Sequence, residues 1–341
     1  LLNGSFSLST YNYDNYPKLI YLIYLLIGRK PLVIRTINGC LSLITAYLIY
    51  KSILTISEDP RKASNGMLIF LLFPQSIIFS SIIMRESLIV FFVTLSVWLF
   101  INYFYRKKVL YLYTGFLSLL IGSLLNSGVI VILLAYFLFV LLDKNKTNNP
   151  IIIKSAVIMT TVLLVILMVF NSDLLFKKFH YATSLESIIA RINYLNTFPA
   201  GSGYLNDYII NSFGDLILYV PLKIVYFLFS PMIWDIRGIQ DLIAFIFDSL
   251  FYLLLIPYAI AAFFGKNQDK REKLLLRTLI IACVLVIGVY AMGTIAAGTA
   301  IRHRYKVLSI LIIITFTQGS RIIGSFFVNR RQLINKSIKD N

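Results

Sequence analysis

Three short stretches bring carboxylates, arginines and aromatic side chains together. The first is Tyr11-Asn12-Tyr13-Asp14-Asn15-Tyr16, followed at a distance by Arg35. The second is Met84-Arg85-Glu86-Ser87, and the third is Arg302-His303-Arg304 with Lys306 close behind. A carboxylate in a partly desolvated cleft can take a proton from a hydroxyl. A guanidinium suits bidentate recognition of phosphate oxygens. Tyr and Asn beside Asp14 suit a hydroxyl-rich ligand. Each group also has a plainer reading. Asp14 can cap a helix starting near Pro17. Glu86 can be a first-turn carboxylate with a local Arg partner. Arg302 and Arg304 can snorkel to headgroups or pair with carboxylates. His303, between those two arginines, is read as incidental. Asp248, inside an apolar run, is either a proton relay or a hydrogen-bonded bundle residue.

The elements that must position these groups are apolar helices. Of 341 residues, 58% are hydrophobic and 14% charged, with a mean hydropathy of +0.81. That excess over a soluble domain, at about 45–50% apolar and 25% charged, points to an all-α, polytopic transmembrane helix bundle. Spans are expected at 33–55, 67–84, 87–105, 109–125, 127–142, 151–171, 243–264, 274–292 and 306–320. These are nine spans, or ten with one upstream of Leu1. The segment 17–27 is too short to cross. The segment 215–234 carries Pro221, Pro231 and Trp234. Both read as interfacial or re-entrant helices on the outer face.

The short connections holding Arg61-Lys62, Arg106-Lys107-Lys108, Lys144, Lys146 and the 265–273 run are cation-rich. The positive-inside rule puts them and the C-terminal tail, 321–341, in the cytoplasm of a multi-pass bacterial cell-membrane protein. The assignment holds only if 215–234 does not cross. A single transmembrane domain, 1–341, is expected, with an outer segment 1–32 and a long outer connection 172–242. The net charge of +17 thus divides. Most cations set topology. The remainder, Arg35, Arg85, Arg191, Arg302 and Arg304 among them, lie on the outer side, where orientation does not call for them. Such cations fit a lipid-linked phosphate whose head group faces outward. Nucleic acid is not an expected partner. Membrane lipids are.

Other chemistry is poorly served. Two cysteines, Cys40 and Cys283, lie in apolar runs and are too few for a disulfide framework. Two histidines, His180 and His303, make a His-based metal centre improbable, and no metal ligand set is expected. Neither G-x-x-x-x-G-K-[ST] nor G-x-G-x-x-G occurs. The chain starts at Leu1, and a first span with the start of the first outer loop is expected to lie upstream.

Four stretches in order carry a resemblance: Asp14-Asn15-Tyr16-Pro17-Lys18-Leu19 leading to Arg35-Thr36-Ile37-Asn38-Gly39; Phe73-Pro74-Gln75-Ser76 running to Met84-Arg85-Glu86-Ser87; Phe229-Ser230-Pro231-Met232-Ile233-Trp234; and Gly298-Thr299-Ala300-Ile301-Arg302-His303-Arg304-Tyr305. Together they resemble bacterial membrane glycosyltransferases of the GT-C superfamily, of the protein-mannosyltransferase-like type. The resemblance implies a polyprenyl-phosphate-linked sugar as donor and a lipid-linked glycan or surface polymer as acceptor. It implies Asp14 as base and Arg85, Arg302 and Arg304 on the lipid phosphate; Glu86 is a further catalytic candidate, and Tyr16 and Arg35 are further substrate- or phosphate-binding candidates. No cofactor is fixed by the resemblance, and a divalent cation is left open. The family's usual acidic pair is not visible, so the base could also precede Leu1. Two other readings stand beside this one: a polymerase or ligase of the O-antigen type acting on pyrophosphate-linked lipids, and a polysaccharide or lipid transporter. The latter predicts an inverted repeat, which the sequence does not show.

Overall fold

The computed structural model describes residues 15–142, 184–197, 201–205, 208–265 and 270–339, with side chains of the last helix described to residue 318. Thirteen helices follow in order among them: α1 (Asn15–Ile27), α2 (Pro31–Ser57), α3 (Pro60–Leu72), α4 (Pro74–Ser81), α5 (Glu86–Arg106), α6 (Val109–Leu125), α7 (Ile132–Leu142), α8 (Leu185–Asn196), α9 (Phe213–Phe229), α10 (Ile239–Ala244), α11 (Leu250–Phe264), α12 (Lys270–Gly293) and α13 (Ala297–Lys339). A 3-10 turn, Ser127–Val131, leads into α7, and a π turn, Phe245–Ser249, joins α10 to α11. No strand is present among the described residues. One isolated bridge pairs Gly203 with Ala296.

Among the described residues four helices are long and apolar enough to cross a membrane: Pro31–Ser57, Glu86–Arg106, Ile239–Phe264 and Lys270–Gly293. They cover the expected spans 33–55, 87–105, 243–264 and 274–292. The expected span 67–84 is not one helix. It divides into α3 and α4, bent by 56° at Phe73-Pro74. Proline disfavours helical backbone at the preceding residue, and Phe73 is extended, with φ −67° and ψ 126°. Taken as one element the pair makes a fifth candidate, against the nine expected. Val109–Leu125 and Ser127–Leu142 are shorter apolar helices. The stretch 306–320 lies inside α13, and 151–171 falls outside the described residues.

Contacts fix the direction of each helix between two ends of the bundle. At the upper end, Asn38 of α2 donates to the carbonyls of Ile82 and Met84 at 2.8 and 3.2 Å. Asn15 donates to Leu124 O and Arg85 to Leu125 O. At the lower end, Lys107 lies over the rings of Tyr103, Phe104 and Phe139. Arg271 lies over Phe104, and Arg277 donates to Phe263 O. From Asn38 to Ser57 the helix rises roughly 28 Å. Because Ile82 is held beside Asn38, α3 and α4 together travel that distance back. The pair is a broken crossing of the bundle and not a hairpin returning to Ser57. Helices α5, α6, α7, α12 and α13 run likewise between the ends. In helix α9, mid-helix Tyr219 donates to Asn196 of α8, and the carbonyl of Phe227 accepts from Arg304 of α13.

The core is apolar and tightly stacked. Helix α13 is buried at Val307, Leu308, Ile310, Ile312, Ile313 and Ile314, which is the all-round burial of a central helix. Thr94 of α5 donates to Ser309 of α13 at 2.8 Å. Phe100 stacks on Tyr136 with centroids 4.0 Å apart. The outer surface is also apolar: Leu26, Leu32, Leu72, Leu110, Leu218 and Leu254 all face outward. A water-soluble surface rarely carries so continuous an apolar covering.

Candidate functional site

The upper end encloses a cavity of about 540 Å³, within the range of small-molecule sites, about 300–1,000 Å³. Five elements build it. Arg85 comes from the turn before α5, and Asn126, Ser127 and Gly128 come from the turn after α6. Val289, Tyr290, Met292 and Gly293 come from the end of α12, with Thr294 just beyond. His303 comes from α13. The roof is α8, which contributes Ile188, Arg191, Ile192 and Leu195. One half of the lining is therefore apolar. The other carries two guanidiniums and an imidazole, and no carboxylate lines it among the described residues. Such a lining attracts an anion with an apolar neighbour group.

Local sequence explains the roof. Ser184 and Ser187 form a reciprocal N-terminal cap on α8. Asn193 exchanges two hydrogen bonds with Ile210, Asn196 donates to Tyr208 O, and the Tyr219 hydroxyl donates to Asn196. Ile192, Ile210 and Tyr219 form a small apolar core of their own. Thus α8 is held by α9 and the 208–210 segment, and only its inner face meets the bundle.

The expected site residues separate into groups. Arg85 lines the cavity while its Nη1 donates to Leu125 O at 3.2 Å. Glu86 is 1% exposed. Its Oε1 accepts from Arg302 Nε at 3.1 Å and from Nη2 at 2.7 Å, while Oε2 is buried without a hydrogen-bond partner. The structure thus joins two expected residues 216 positions apart in the chain. Tyr16 is buried, with its hydroxyl beside Asn38 and the Glu86 carboxylate but lacking a well-formed hydrogen bond. Arg35 is exposed on the outer face of α2 and joins neither cluster. Asp14 lies outside the described residues.

Arg304 has different company from that expected. It is 0% exposed. It donates to Phe227 O at 3.0 Å, to Ser230 O at 2.6 Å and to the Asp248 carboxylate, and its guanidinium lies 5.5 Å from the Tyr252 ring centroid. It ties α9 and the π turn to α13 and lines no part of the cavity. Residues two apart on a helix point about 200° apart. Arg302 and Arg304 therefore cannot hold one phosphate between them, and His303 takes the place at the cavity.

Sequence reasoning did not single out Tyr290, Asn126 or Gly128. The Tyr290 hydroxyl donates to Asn126 Oδ1 at 2.5 Å, and its ring stacks on His303 at 4.2 Å. A Cβ on Gly128 would lie 2.5–2.8 Å from that ring, so glycine is what lets α12 approach the turn. The signal available was the Asn126-Ser127-Gly128 turn cluster closing an apolar run. Among the described residues no three His, Cys, Asp or Glu side chains converge as metal ligands. No family model, curated protein or solved structure matches the chain.

Proposed function

We propose that this chain is a multi-pass membrane glycosyltransferase. It moves a sugar from a polyprenyl-phosphate donor to a lipid-linked or cell-surface glycan at the outer leaflet. The observation that carries the reading is the half-apolar cavity lined by Arg85, Arg191 and His303, next in the chain to the ion pair of buried Glu86 with half-exposed Arg302. The sequence resemblance stands behind it.

The membrane assignment rests on the apolar outer surface and on the charges. Arg61, Lys62, Arg106, Lys107, Lys108, Lys270, Arg271 and Lys273 belong to the lower-end connections, which the positive-inside rule places in the cytoplasm. The cavity then opens toward the outer leaflet. Serving as a re-entrant or interfacial helix, as α1 does, α9 leaves that parity intact.

In the proposed reaction the oxygen of an acceptor hydroxyl attacks the sugar's anomeric carbon. The bond from that carbon to the phosphate oxygen breaks, and the acceptor proton passes to a carboxylate. Asp14 is the base implied by the resemblance. Arg85 and Arg191 stabilise the charge left on the lipid phosphate. Glu86 pairs with Arg302, the neighbour of His303 on α13. A divalent cation, if used, would add to the same phosphate stabilisation.

The test uses protein in lipid nanodiscs, polyprenyl phosphate and a panel of polyprenyl-phosphate hexoses. Asp14→Asn should abolish transfer and leave polyprenyl-phosphate binding unchanged. Arg85→Ala should weaken that binding about tenfold or more, the loss of one charge-assisted pair. Wild-type protein that binds no phosphate lipid would overturn the reading. Turnover only with a pyrophosphate-linked oligosaccharide would replace it with a polymerase or ligase.

A further inference from the structure

Spacing puts His303 and Lys306 on one face of α13, and their side chains meet. Lys306 Nζ lies 2.5 Å from His303 Nδ1. Lys306 is 1% exposed, and its Nζ also sits 4.5 Å from the centroid of the Tyr290 ring. The same ring stacks on the imidazole and is anchored through its hydroxyl to Asn126. An ammonium can only donate hydrogen bonds. With Lys306 as the ammonium, Nδ1 accepts, and a neutral imidazole then carries its one proton on Nε2. His303 lines the cavity together with Arg85 and Arg191.

We propose that His303 is a binding residue of this cavity, whose Nε2–H donates to an oxygen of a phosphate mono- or diester seated by Arg85 and Arg191, and that Lys306 is the positioning residue that fixes the tautomer. The inference rests on reading the cavity as a phosphate site. It assigns a task to two residues that composition leaves as stray cations. Locking a neutral imidazole as donor adds a directed hydrogen bond without a further full charge next to Lys306, Arg85 and Arg302. Glu86 is the carboxylate held in this neighbourhood, and Arg302 already occupies one of its oxygens.

The experiment has two parts, both on the full chain in nanodiscs. The first is nitrogen NMR of protein labelled at histidine. Only His180 and His303 contribute, and a His180→Gln variant assigns them. A bare Nδ1 and a protonated Nε2 on His303 are expected. A protonated Nδ1 would overturn the role of Lys306.

The second part titrates farnesyl phosphate, inorganic phosphate and, as a neutral control, farnesol. His303→Ala should weaken farnesyl phosphate binding about tenfold. His303→Gln, whose amide N–H can stand where Nε2–H stood, should stay within about threefold of wild type. Lys306→Met should weaken binding in the wild-type background and add little in the His303→Gln background, because an amide needs no tautomer lock. Equal losses in both backgrounds would reduce Lys306 to a packing residue and overturn its part. If Arg85→Ala loses binding and His303→Ala does not, the histidine proposal fails and the phosphate site stands. If wild type binds neither phosphate probe, both fail. Binding of farnesyl phosphate far above inorganic phosphate supports the proposal with a lipid ligand. Equal binding supports it with a soluble phosphate.

Discussion

Among single residues, Arg304 and Asp248 carry the heaviest structural burden. Both are essentially unexposed, and each is the other's charge partner. Removing one member of such a pair leaves an uncompensated charge, at a cost on the order of 3 kcal/mol. Arg304→Met and Asp248→Leu should each lower the unfolding midpoint in detergent markedly, and the Arg304→Met/Asp248→Leu double variant should recover part of the loss. Additive losses in the double variant would show that the two do not act as a pair. The contrast with Arg302 is instructive. Arg302 is half-exposed and binds Glu86. Two arginines that look equivalent in Arg302-His303-Arg304 have unlike surroundings because a helix turns them to opposite sides.

Between elements, close approach and capping decide the site. Helix α12 meets the turn after α6 through Gly128, where a methyl group would overlap the Tyr290 ring. Gly128→Ala should displace Tyr290 from Asn126 and His303 at a cost of about 1–3 kcal/mol, and weaken phosphate-lipid binding in the same assay. Unchanged binding would mean that the seam tolerates the shift. Helix α9 begins with a reciprocal cap in which Asp215 accepts from the backbone N–H groups of Asn211 and Ser212 at 3.0 Å each. The backbone bond from Asn211, then the Ser212 hydroxyl, hold its carboxyl below the ordinary 3.8. A carboxyl depressed on folding contributes stability above its unfolded value and loses it as the pH falls through the folded one. Amide protection across 211–216, corrected for intrinsic exchange, should therefore drop below pH 3.8 in wild type and stay low and flat in Asp215→Asn. A pH-independent wild-type profile would remove Asp215 from the cap.

For the molecule as a whole, the prediction concerns sidedness. In a Cys40→Ser/Cys283→Ser background, a single cysteine at Glu186→Cys reports the upper end and one at Lys108→Cys the lower. Both parent side chains are exposed. A membrane-impermeant maleimide applied to intact cells should label the first, and the second only after lysis. The opposite pattern would turn the cavity to the cytoplasm and remove the outer-leaflet reading.

The sequence by itself determined the helical class, the apolar character and the positions of four long helices, since each follows from local runs of residues. It also singled out Arg85, Glu86 and Arg302 by residue type. It marked Pro74, yet read 67–84 as continuous, because hydropathy is blind to a broken backbone. Only the tertiary structure decided which cation meets which anion. Arg302 finds Glu86 across 216 residues, Arg304 finds Asp248 across 56, and Lys306 turns back three residues to His303. The physical reason is that a helix's composition fixes what it is made of, whereas its rotation against its neighbours fixes which face it presents. That rotation is set by packing around α13, which no local run of residues encodes.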